Sequence, residues 1–220
     1  MSYPWDESRA EFSTERDVPR RGRRAAHALL YAKSSAKLFD YIPMEHAVMM
    51  QLRFDGTLGF PGGYVNYHEN ITKGLNRELE EEIALKQRNF FSDSDYYGTW
   101  IHSYMSTPLV DHFYVKEFTE DEFKKIEMQT LQAKDWGGET MGIIRVPLDC
   151  IPQTNKPYGP MPHFLLHNFV GNAREQLVKT IVEKQLVEVE NMQHAWAKMI
   201  DEIKRNLSTD VFSCFVPEQH

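Results

Sequence analysis

Cysteine is nearly absent from this chain: its 220 residues include Cys150 and Cys214 and no others. Two thiols build neither a disulfide framework nor a cysteine-based metal centre, so a reducing interior, cytosolic or nuclear, is the expected setting. Long apolar runs are missing too. None approaches the roughly 18 residues that cross a bilayer, so no membrane attachment is expected. The opening stretch MSYPWDESRAEFSTERD is charged and has no apolar centre, and it is not expected to act as a secretory signal. Positive charge is in short supply, with 25 Lys and Arg against 32 Asp and Glu, a formal net charge of −7. That balance argues against a surface that grips nucleic acid by bulk charge. One segment runs the other way: PRRGRR, Pro19 to Arg24, reads as a solvated flank or an import signal more readily than as a phosphate contact. There is no internal repeat, no phosphate-binding P-loop and no Gly-x-Ser-x-Gly elbow. His163 and His167 stand at i,i+4 without the glutamate that a zinc helix requires.

What is present is an alternation of strands and helices. AAHALLYA (25–32) and HAVMMQLRF (46–54) are short apolar runs that read as strands, followed by the turn signal Asp55-Gly56 and the backbone-rich loop LGFPGGY. From Thr72 the apolar period becomes helical through Leu75, Leu79 and Ile83. LVDHFYVKEF (109–118) predicts another strand. Thr119 and Glu122 predict a capping box for a helix over 120–132. TMGIIRVPL (140–148) reads as a strand, IPQTNKPYGPMP (151–162) as a loop, and 163–186 and 189–206 as helices. Such interleaving implies a mixed α/β layer structure.

The helix from Thr72 carries RELEEEI, residues 77–83, with four glutamates on little more than one turn. Like charges at i,i+3 and i,i+4 destabilise a helix, so the clustering needs a reason. Helical spacing puts Glu78, Glu81 and Glu82 on adjacent positions of one face, at the edge of the apolar stripe, and turns Glu80 toward solvent. A hard divalent cation with oxygen ligands, Mg²⁺ or Mn²⁺, would neutralise three such carboxylates. A solvated acidic face is the alternative. The flanks favour the cation. Gly62-Gly63 leave backbone groups bare for metal or phosphate, and Glu69 stands where it could pair with Arg77 and pin the loop to the helix.

The full string, G-x5-E-x7-R-E-L-x-E-E from Gly63 to Glu82, resembles the Nudix box, the motif of hydrolases that cut a nucleoside diphosphate linked to another moiety. HALLYA (27–32), IPMEHAVMMQLRFDGTLGFPGGYV (42–65), GLNREL (74–79), MGIIRVPL (141–148) and NAREQL (172–177) extend the likeness to the snoRNA-decapping, inosine-diphosphatase branch of that superfamily. One position departs: Ala84 stands where the family usually has glycine, and is expected to let the helix run on. The resemblance covers roughly 25–186 and implies a Nudix domain there; the residues outside it read as a flexible flank over 1–24 and a C-terminal helix and tail over 187–220. It implies a mixed sheet sandwiched between helices, usually dimeric. It also implies Gly62, Glu78 and Glu82 as metal ligands and Glu81 as assisting a metal or polarising water. Glu139 would ligate a further ion or act as base.

His27, Arg53, Phe60 and Gln176 match positions lining the nucleotide pocket. Read without the resemblance, each has an ordinary role: His27 structural, Arg53 a surface charge, Phe60 core, Gln176 a solvated helix former and Glu139 a turn residue. The implied activity is metal-dependent hydrolysis of inosine or deoxyinosine diphosphate and of capped RNA 5′ ends, in nucleus and cytoplasm. The rivals are a catalytically inactive Nudix scaffold that binds RNA or a protein, whose relatives have lost box glutamates, and a generic ADP-ribose or dinucleotide pyrophosphatase.

Overall fold

The computed structural model describes residues 10–15, 22–102, 107–148 and 159–208. Cys150, Cys214, the basic Pro19–Arg21, most of the proline-rich loop and the tail after Ser208 lie outside the described residues. Of the N-terminal flank, Glu11–Ser13 forms a strand, β1, rather than a loose end. In chain order follow β2 (Arg23–Lys33), β3 (Lys37–Leu38), β4 (Ile42–Pro43), β5 (His46–Arg53), β6 (Leu58–Gly59) and β7 (Gly62–Tyr64). Helix α1 (Ile71–Ile83) precedes β8 (Tyr96–His102) and β9 (Leu109–Phe118). The chain then forms α2 (Glu120–Gln129), β10 (Thr140–Arg145), α3 (Met161–Leu165), α4 (Ala173–Glu183) and α5 (Val189–Ser208).

The main sheet runs β1-β8-β9-β2-β5-β10, with β6 added to β5 and β7 to β2. It is mixed: β2 and β9 are parallel from Arg23↔Leu109 to Ala32↔Phe118, and the other pairs are antiparallel. The period of two along β2 sorts its side chains between two cores. Ala26, Ala28, Leu30 and Ala32 face α1 and α2, where Leu75, Leu79, Ile83, Phe123 and Ile126 pack. Leu29 faces the other side with Val48, Met50, Phe113 and the helices α3, α4 and α5, which contribute Leu165, Leu177, Ile181 and Met199. The sheet is therefore sandwiched between helices, as the resemblance implies.

Several details differ from the sequence reading. The helix expected over 120–132 is α-helical only to Gln129 and tightens to a 3₁₀ turn over Thr130–Gln132. The strand expected over 140–148 ends at Arg145, just ahead of Pro147. The helix expected over 163–186 is two helices, α3 and α4, separated where Gly171 takes a left-handed conformation at φ 53°. Helix α1 does not run on through Ala84. That residue itself adopts the left-handed cap (φ 53°, ψ 35°), and its N–H bonds to the Leu79 carbonyl. The cap is thus imposed by the packing of the following chain, which buries Ala84 and Leu85, and not by glycine.

Candidate active site

The β6–β7 segment threads between β2 and α1, and glycine makes this possible. Gly62 pairs with His27 of β2 at φ 136°, and a Cβ there would stand 2.2 Å from the Ala26 carbonyl oxygen. A Cβ on Gly63 would stand 2.7 Å from Glu78 Oε2, so only a bare backbone lets the α1 carboxylate lie against the loop.

Glu82 lies deeper than a groove edge: it is 3% exposed. Its Oε2 accepts the Gly62 N–H at 2.7 Å and the Gln51 amide at 3.2 Å, while Thr140 Oγ1 donates to Gln51 Oε1 at 3.4 Å. Burial pushes its carboxyl up to about 7. The Gly62 and Gln51 hydrogen bonds and the charge of His27 oppose that shift, and Glu78 adds to it. The other two carboxylates are held by cations of the chain. Arg77 donates to both oxygens of Glu69 at 3.1 and 3.0 Å, to Glu78 Oε1 at 2.6 Å and to the Tyr64 carbonyl at 3.1 Å. Lys134 lies 3.1 Å from Glu81, and Glu80 is exposed. The Lys134 loop is tied to the end of α1 by Asp135 N–H to Glu81 O at 3.0 Å.

As arranged, no three His, Cys, Asp or Glu side chains among the described residues converge as a metal centre would. The donor chemistry nonetheless fits a hard divalent ion. It is all oxygen, and its buried member holds a desolvated carboxyl next to the charge of Glu78, a burden that a cation relieves.

On the opposite face of β2, His27 meets Asp111, and this partner was missed in the sequence. Asp111 is buried on β9, with Oδ1 2.7 Å from His27 Nδ1 and Oδ2 accepting the Gln176 amide at 2.8 Å. Burial works against charge on both members of the pair. The mutual attraction prevails, raising His27 above its ordinary 6.5 and lowering Asp111 below its ordinary 3.8. His102 is buried beside them, where desolvation lowers it. The signal available in the sequence was an acid, Asp111, set with His112 inside a mostly apolar strand, LVDHFYV. Gln176 is therefore no solvated helix former, and His27 is held in place.

Arg53 lies across Gly59, and its Nε is buried with no hydrogen-bond partner among the described residues, 3.6 Å from Asp55. It is close enough to His27 to oppose that group's charge. Phe60 is buried and stands edge-on to Phe113 at 5.0 Å, so it belongs to the core and presents no open ring face. Glu139 lies exposed in the turn before β10, its carbonyl accepting from Phe54 N–H at 3.0 Å. The structure thus gathers Gly62, Gly63, Glu69, Arg77, Glu78 and Glu82 around one loop. His27 and Gln176 join across Asp111 on the other face.

Comparison with known proteins agrees with this geometry. The family described as "Nudt16-like: U8 snoRNA-decapping enzyme-like" matches residues 24–187. The chain is 40% identical over 180 residues to the U8 snoRNA-decapping enzyme of Xenopus laevis, covering 78% of this chain and 83% of that one. It is 43% identical over 168 residues to the mouse enzyme of the same name, covering 76% and 84%. It is also 32% identical over 185 residues to the human Tudor-interacting repair regulator protein, covering 83% and 84%. A box of glutamates pinned over a glycine loop, on a mixed sheet between helices, matched along most of the chain, places this protein in the Nudt16-like family of Nudix hydrolases.

Proposed function

We propose that this Nudix hydrolase removes the 5′ cap of RNA and also hydrolyses inosine and deoxyinosine diphosphate. The observation that carries the reading is Glu82, a buried carboxylate held by Gly62 N–H and Gln51 at the foot of the glycine loop, with Glu78 beside it. The decapping enzymes of frog and mouse supply the substrate class. Nudix hydrolases generally work with divalent ions. Here Glu78, Glu82 and the Gly62 carbonyl would hold Mg²⁺ or Mn²⁺, which when bound offsets the diphosphate charge and acidifies a water.

The chain supplies the rest. Glu81, steadied by Lys134, or the exposed Glu139 takes the proton of the attacking water. Arg53, ion-paired to Asp55 at 3.6 Å, offers its guanidinium to a phosphate oxygen as charge develops there. His27 gives Nδ1 to Asp111, which leaves Nε2 for the nucleotide. Arg77 touches no substrate in this scheme; it holds the loop by Glu69 and the Tyr64 carbonyl. Residence in nucleus and cytoplasm and assembly as a homodimer go with this reading.

Turnover of capped RNA and inosine diphosphate is expected with Mn²⁺ and lost with chelator, followed by chromatography of the products. Glu82→Gln is expected to lower kcat by more than about tenfold, since loss of an ion-binding carboxylate or its support costs at least that. No metal-dependent cleavage of any diphosphate would refute the proposal. Preference for ADP-ribose would shift it to a generic pyrophosphatase. The likeness to the repair regulator keeps a binding-only scaffold as the second reading. The intact Glu78, Glu81 and Glu82 speak against it.

A further inference from the structure

One solvent-facing feature at the edge of the site does none of the work described so far. Strand β7 begins at Gly62 and ends at Tyr64, pairing with Ala25–His27 of β2. Tyr64 is 50% exposed, and Tyr67, three residues on, is 85% exposed. The guanidinium of Arg23, itself exposed, lies 4.1 Å from the Tyr64 ring centroid. The rings of Tyr67 and His68 meet edge to face at 4.6 Å. Three rings, with one cation over the first, are thus presented within five residues of one strand end and the loop after it, starting about 7 Å along an extended strand from Gly62.

Folding gives no account of it. A tyrosine left 85% in solvent gains almost nothing from the hydrophobic effect. Nor is the loop loosely held. Arg24 donates to the carbonyls of Asn66 at 2.7 Å and Tyr67 at 2.9 Å, and Arg77 donates to that of Tyr64 at 3.1 Å. Glu69 accepts from Asn66 N and Nδ2, both at 3.1 Å, and its charge is met by Arg77. The backbone under these rings is thus fixed, which lowers the ordering cost of binding.

We propose that Arg23, Tyr64, Tyr67 and His68 form the platform that holds the single-stranded RNA following the cap. This rests on the decapping reading and names how the body of that substrate is gripped. The chemistry favours RNA over a protein partner. The patch contains no aliphatic side chain, bases stack on tyrosine and histidine faces, and a guanidinium meets phosphate. Arg23 itself belongs to the basic run PRRGRR, in a chain whose net charge is −7.

The test is fluorescence anisotropy of the full chain with an uncapped 12-nucleotide single-stranded RNA, which reads the platform without catalysis. The double variant Arg23→Gln/Tyr67→Leu is expected to weaken binding about tenfold or more. Arg23→Gln alone is expected to reduce the slope of log affinity against log salt by about one, and Tyr67→Phe to bind within about twofold of the wild type. Capped-RNA turnover by the double variant falls through KM, while inosine diphosphate turnover stays within about twofold. A wild type that does not bind the RNA overturns the proposal. So does a double variant that binds it equally well, the result expected of a protein-docking patch, or one that loses inosine diphosphate turnover to the same extent. If the wild type binds RNA through these residues yet cleaves no diphosphate, the decapping reading fails and the platform stands.

Discussion

Asp111 shows how much a single residue can decide. Its two oxygens hold His27 and Gln176, so one buried carboxylate orients two side chains on the α4 side of β2. The pH dependence follows from the directions of the two shifts. Asp111 is lowered, so its contribution to stability is present above its ordinary 3.8 and is lost as pH falls through the lower folded value. His27 is raised, so its contribution is full below 6.5 and is lost as pH rises through the higher folded value. The stability gap between the wild type and Asp111→Asn, measured by urea unfolding, is expected to be widest between about pH 4 and 6.5 and to narrow by pH 9. Equal gaps at pH 5 and pH 9 would contradict the pairing. The residue scale also sets what cannot change: Gly62→Ala places a methyl on the Ala26 carbonyl at a left-handed φ and is expected to abolish stable folding of the loop and all turnover.

At the scale of elements, legibility followed local chemistry. The capping box of Thr119 and Glu122 was readable because both partners sit within one turn, and both of its reciprocal hydrogen bonds form. Thr119→Ala is expected to cost about 1 kcal/mol in thermal unfolding. The end of α1 was misread for the complementary reason. Ala84 carries no local signal for a left-handed cap, and the burial of Leu85 is what turns the chain there. A β-branched side chain tolerates that conformation much less well, so Ala84→Val is expected to cost more than about 1 kcal/mol by the same measurement. The acidic turn divides likewise. Its spacing assigned Glu78, Glu81 and Glu82 to one face, but only the packing of β5 under α1 buries Glu82 and gives it Gln51.

For the whole molecule, the sheet separates two environments, and the proposed site draws on both. The box glutamates and Gln51 lie on the α1 face, while His27, Asp111 and Gln176 lie on the α4 face, joined through β2 and the Gly62 crossing. Helix α5 completes the second layer by burying Met192, Ala195 and Met199 against α3. Truncation after residue 187 is therefore expected to lower Tm by roughly 10 °C or more, since several fully buried side chains are lost. Unchanged Tm would mean that the second layer closes without it.

The sequence by itself determined the box, the mixed α/β layering and the Arg77–Glu69 clasp, because each rests on fixed spacing along one helix, one strand or one adjoining loop. The tertiary structure alone decided that Glu82 is buried, that Phe60 is core, and that Asp111 links His27 to Gln176. Those three depend on elements far apart in the chain lying against one another: β5 beneath α1 for Glu82, and β9 beside β2 for the other two. No spacing within a single segment encodes which of its neighbours a strand will have.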